Sequence, residues 1–167
     1  EGNPEPSSTK NPFTDVKSSD FFYKPVLWAV EKGITNGTSA TTFGSYDNCN
    51  RAAVVTFLWR AAGQPEPTTT VNPFTDVKES DFFYKAVLWA VEEGITEGTS
   101  KNTFSPADDC MRVTVVTFLY RAMGNPEVKN TEHPFTDIVE TEFYYTPMLW
   151  AVENGITNGV DAPPSDL

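Results

Sequence analysis

An all-α fold of three tandem helix–loop–helix units in a pseudo-threefold arrangement is what this sequence predicts, and three observations carry the prediction. A period of 61 residues runs through the chain: Asn-Pro-Phe-Thr-Asp-Val at 11–16 returns at 72–77, and Pro134 to Ile138 repeats Pro-Phe-Thr-Asp-Ile. Within each unit, apolar residues recur at helical spacing between capping residues and glycines. The stretches between them are rich in Thr, Ser, Gly and Asn, too polar for long strands. A fixed period means one supersecondary unit copied in tandem, each copy completing its burial on its neighbours.

The first helix of each unit carries Leu-Trp-Ala-Val-Glu, at 27–31, 88–92 and 149–153. In unit one Phe22, Val26, Ala29 and Val30 share a face, and Ser19 or Asp20 is positioned to cap. Pro25, and Pro147 at the same place in unit three, fit only a first turn, so the helix is expected to start at Tyr23 or Lys24. Gly33 ends it as an αL glycine, with Ile34 as the apolar residue of a Schellman motif. Gly-Ile-Thr-x-Gly recurs at 33–37, 94–98 and 155–159 and opens a turn-rich loop. The second helix starts near Asn50 or Arg51, carries Val54, Val55, Leu58, Ala61 and Ala62, and stops at Gly63 before Pro65.

Two blocks occur only twice. Cys-x-Arg followed by Val-Val-Thr-Phe-Leu lies at 49–58 and 110–119, and Arg-Ala-x-Gly-x-Pro-Glu lies at 60–66 and 121–127. The third unit reaches neither, and its Asp161 to Leu167 is expected to leave it incomplete, without a second helix. The expected organisation is an N-terminal linker at 1–10 and units at 11–66, 67–127 and 128–167.

Composition narrows the function classes. The 167 residues hold 12 Lys and Arg against 23 Asp and Glu, a formal charge of −11, which repels phosphate backbones and argues against nucleic acid. No run approaches the ~20 apolar residues of a membrane span. Glu1 to Lys10 has neither the basic start nor the apolar stretch of a signal peptide, so an exported protein would be a processed form or a fragment. Two cysteines and one histidine exclude a multi-disulfide scaffold and a Cys/His zinc site. No catalytic residue, metal or cofactor is expected. His133 lies in a linker, and no carboxylate pair stands out as acid and base.

Phe-x-Asp-Val, the aromatic- and Ala-rich first helix, Gly-Ile-x-x-Gly, the Thr-Phe turn and a second helix opening on an Arg resemble the S-layer homology repeat of bacterial surface proteins. The resemblance covers residues 11–167. It implies a prism of three repeats whose grooves bind secondary cell-wall polysaccharide, often pyruvylated, at the extracellular bacterial cell surface. Arg51 and Arg112 match the motif arginine, and Trp28, Trp89 and Trp150 match the first-helix aromatic; these five residues are the candidate glycan-binding set. The motif departs from Thr-Arg-Ala-Glu, reading Asn50-Arg51-Ala52-Ala53 and Met111-Arg112-Val113-Thr114. Asn50 can cap a helix and Met111 cannot.

Each candidate has a second reading. A guanidinium can grip a ketal carboxylate bidentately, or Arg51 and Arg112 can pair with Asp47, Asp108 or Asp109. The indoles can stack on sugar rings or fill a core, while Trp59 and its counterpart Tyr120 suit a groove or interface. Asp15, Asp76 and Asp137 lack the spacing of a calcium loop and read as turn residues. Cys49 and Cys110 read as buried thiols, because a bridge would need them within ~7 Å near an axis. Asn36-Gly37-Thr38 is a glycosylation acceptor by pattern and a Gly turn by composition. Function therefore reads as non-catalytic, non-covalent anchoring to cell-wall polysaccharide. The alternative is a self-assembling surface subunit, associating with itself or with another chain through the third unit.

Overall fold

The computed structural model describes residues 4–159; the expected incomplete end at 161–167 lies outside them. Among the described residues the regular elements are five helices: α1 Tyr23–Glu31, α2 Arg51–Ala61, α3 Tyr84–Glu92, α4 Arg112–Ala122 and α5 Tyr145–Glu153. Two isolated antiparallel bridges accompany them, Asn50 with Asp109 and Ser100 with Thr103. The all-α class is the one the sequence predicts. None of these helices is long and apolar enough to cross a membrane.

The first helices begin at Tyr23, Tyr84 and Tyr145, which puts Pro25 and Pro147 in the first turn, where the missing N–H has no intrahelical acceptor to lose. Capping by Asp20 does not occur: the N-cap is Phe22, with no side-chain bond. Asp20 instead accepts the Lys17 N–H at 2.7 Å, and its carbonyl accepts the Tyr23 N–H at 3.0 Å, so it closes the turn before the helix. The C-terminal end is a Schellman motif. Ile34 N–H donates to Ala29 O at 2.8 Å, Gly33 N–H donates to Val30 O at 3.0 Å, and Gly33 has φ +69°. The same pair of bonds recurs at Gly94–Ile95 and Gly155–Ile156.

Second helices differ at their starts. Asn50 accepts the Ala53 N–H on its side-chain oxygen at 2.8 Å, whereas Met111 makes no side-chain cap. Packing runs from unit to unit: α2 lies on α3, α4 lies on α5, and α2 also touches α4. The main core joins Val55 of α2, Ala86, Val87 and Ala90 of α3, Ile95, Phe104 and Phe118. A smaller cluster of Phe13, Val16 and Val26 supports α1. The same step from one unit to the next therefore occurs twice, as a pseudo-symmetric arrangement requires.

The segments between units are laid across the first helices. Glu5 pairs with Lys24 and Glu66 with Lys85, each at 2.7 Å. Ser7, Thr68 and Lys129 donate backbone N–H groups to Glu31, Glu92 and Glu153. The cysteines correct an expectation: Cys49 is exposed and Cys110 half-buried, because their loops meet at the surface of the junction between units one and two.

Candidate functional site

A cleft of about 480 Å³ opens between the loop of unit one, the outer face of α2 and Phe82 of unit two. Its loop wall is held by Asp15, whose carboxylate accepts the N–H groups of Phe43, Gly44 and Ser45 at 2.8, 2.8 and 3.2 Å. These bonds, the one from Phe43 foremost, hold the Asp15 carboxyl below its ordinary pKa. Asp76 does the same in unit two through Phe104 and Ser105, so these aspartates are loop anchors. Gly37 has φ +75°, and a Cβ there would stand 2.5 Å from both the Phe13 ring and Thr42 O. The Thr35 hydroxyl accepts the Gly37 N–H at 3.1 Å. Close approach and positive φ together explain Gly-Ile-Thr-x-Gly, and the acceptor pattern at Asn36 falls on this turn.

The cleft mixes apolar and hydrogen-bonding groups. Phe43, Phe57 and Phe82 present aromatic surface, while Asn36, Asn48, Asp47 and Arg60 supply donors and acceptors. One Arg60 nitrogen, Nη1, donates to Ile34 O at 3.2 Å, fixing the side chain against the end of α1. Arg121 repeats this with Ile95 O at 3.1 Å. Phe82 is 72% exposed, edge-on to Phe83. Phe21 and Phe143, one period away on either side, are likewise exposed.

The five expected residues do not share one site. Arg51 is 7% exposed; its Nε donates to Phe104 O at 2.9 Å, and its guanidinium lies 5.0 and 5.3 Å from the Phe104 and Phe118 ring centres. Desolvation lowers its pKa, against the opposing pull of Cys110, Asp108 and Asp76. Arg112 is exposed, donates from Nη2 to the Thr157 hydroxyl at 3.2 Å, and borders a second cleft of about 420 Å³ with Val113, Phe135, Ile138 and Met148. Trp89 and Trp150 are buried, Trp150 against the Tyr120 ring, whereas Trp28 is half-buried. Trp59 donates its indole N–H to Pro65 O at 2.8 Å. Arg60 and the exposed phenylalanines were missing from the candidate set. Their signal was present: an aromatic at 21, 82 and 143, beside the helix-face position and outside the apolar spacing.

Residues 12–54 and 73–110 match the family model of the S-layer homology domain. The chain carries S-layer homology repeats. Beyond residue 110 the 61-residue period continues through Pro134–Ile138 and α5. An endoglucanase of Bacillus sp. (strain KSM-635) is 32% identical over 118 residues, covering 71% of this chain and 12% of that protein. The surface-layer 125 kDa protein of Lysinibacillus sphaericus is 29% identical over 147 residues, 87% of this chain and 12% of its own length. A cell surface protein of Thermoanaerobacter kivui is 26% identical over 117 residues, 68% of this chain and 15% of its own. The S-layer homology repeats of this chain therefore span a small part of each relative. Family and relatives place them in an anchoring role at the extracellular face of the bacterial cell.

Proposed function

We propose that these repeats anchor their protein by binding cell-wall polysaccharide non-covalently, without catalysing a reaction. The observation that carries the reading is the cleft between units one and two, where the exposed Phe82 ring faces amide, hydroxyl and guanidinium groups. A sugar ring offers the matching surfaces, an apolar C–H face for the aromatic ring and hydroxyls for the polar groups. The volume suits a few such rings. Arg112, exposed beside the second cleft, is the cation best placed for an acidic substituent such as a pyruvyl ketal, while the buried Arg51, Trp89 and Trp150 line neither cleft.

Titration calorimetry with purified secondary cell-wall polysaccharide checks this. Phe82→Ala should weaken binding by ~1 kcal/mol or more, and Arg112→Ala by ~1.5–3 kcal/mol per charged hydrogen bond lost, with helicity unchanged. Unaltered affinity in both variants would remove both clefts from the site. Assembly between copies is the second reading, favoured by exposed Met111, Val139 and Ile156, each adjacent in sequence to a residue lining the second cleft. Sedimentation without concentration dependence would dismiss it.

A further inference from the structure

The loops that precede α2 and α4 meet in an antiparallel bridge in which Asn50 stands opposite Asp109. The next pair along the same register is Cys49 opposite Cys110, and the Cys110 N–H donates to Cys49 O at 2.9 Å. On the other side of the bridge the Arg51 N–H donates to Asp108 O at 3.0 Å, and Asn48 Nδ2 donates to Asp109 Oδ2 at 2.8 Å. The register is thus held at both ends. Opposed residues of an antiparallel pair point their side chains to one face, with Cα atoms ~4.5–5.5 Å apart. That lies inside the range a disulfide requires.

Both thiols are free, and Cys49 is exposed at the junction surface. From this juxtaposition we propose that Cys49 and Cys110 form an intramolecular disulfide that joins units one and two when the chain meets a disulfide oxidant of the glutathione class. The Cys49 thiolate attacks one sulfur of the oxidant and releases the other as a thiolate. Cys110, after losing its proton, attacks Cys49 Sγ and expels the second small thiol. Two thiol protons are given up and two electrons end on the oxidant, whose S–S bond is the one cleaved. An extracellular location is where such a bond persists, and to that extent the proposal rests on the surface placement.

Partial desolvation raises the Cys49 pKa even though the residue is exposed overall, and the same cause pushes the half-buried Cys110 up to about 11, partly offset by Arg51. Because the thiolate is the attacking species, closure is slow at neutral pH and accelerates as pH rises.

The test incubates the full 167-residue chain with glutathione disulfide at neutral and alkaline pH, quenches with acid, alkylates under denaturing conditions and maps the peptides. The expected result is a monomer two hydrogens lighter, resisting alkylation at both cysteines, with a Cys49–Cys110 linked peptide that forms faster at the higher pH. Cys49→Ser and Cys110→Ser single variants should each yield a mixed disulfide with glutathione and no internal bridge. Full alkylation of both cysteines after alkaline oxidation, stable glutathione adducts on the unsubstituted chain, or covalent dimers instead of the internal bridge would overturn it. Since no glycan enters the experiment, its outcome is independent of polysaccharide binding.

Discussion

Arg51 and Arg112 occupy the same place in the repeat and meet opposite fates. At the first junction, the loop of unit two roofs the start of α2: Arg51 and Ala52 give their N–H groups to Asp108 O and Pro106 O at 3.0 and 3.1 Å, and the Arg51 side chain is closed between Phe104 and Phe118. At the second, Arg112 is exposed and, among the described residues, donates to the Thr157 hydroxyl. The position equivalent to Phe104 is Ser165, outside the described residues. A motif residue is therefore not a fixed role. The same guanidinium is a structural clamp where Phe104 and Phe118 enclose it, and an exposed cation at the second junction among the described residues.

The largest expected contrast is in stability. Arg51→Ala removes a charge-assisted hydrogen bond and two ring contacts and leaves Phe104 O buried without a donor, so it should cost ~3 kcal/mol. Arg112→Ala, at an exposed site, should stay within ~0.5 kcal/mol. Urea denaturation decides: equal shifts in midpoint would erase the distinction between the two junctions. A smaller contrast lies in the caps. Asn50→Ala should cost ~1 kcal/mol by orphaning the Ala53 N–H, and Met111→Asn should gain a comparable amount by supplying the cap α4 lacks. Failure of Met111→Asn to stabilise would mean that the start of α4 is already satisfied.

The smallest effect is a pH dependence confined to the loops. Asp15 has a folded pKa below its unfolded value, so its contribution is fully present above the unfolded carboxylate pKa and fades as pH falls through the folded one. Asp15→Asn should flatten that part of the acid limb. Neither arginine should change it, since the Asp15 carboxylate is held by Phe43, Gly44 and Ser45.

Periodicity and punctuation made the helices legible in the sequence. Local rules govern those features: a proline in the first turn, an αL glycine at the end, an Asn before α2. The fate of Arg51 was not legible, because its partners Phe104 and Phe118 lie more than 50 residues away and only packing brings them together. The exposure of Cys49 is hidden from the sequence for the same reason; its register against Cys110 depends on how two loops meet. Trp89 and Trp150 enter the core as one of their two readings allows, while Trp28 packs less fully because among the described residues no other helix covers α1 as α2 covers α3 and α4 covers α5. Helical spacing selects Phe83 and passes over its exposed neighbour Phe82.

The segments laid across the first helices bear on how a surface anchor responds to pulling. Glu5–Lys24 and Glu66–Lys85 are exposed pairs, and the backbone bonds to Glu31 and Glu92 are exposed as well. Such contacts are individually weak and lie one after another along the chain, so tension peels them in sequence instead of shearing them together. Under tension along the chain these exposed contacts would yield before the core around Val55, Val87 and Phe104, which none of them joins.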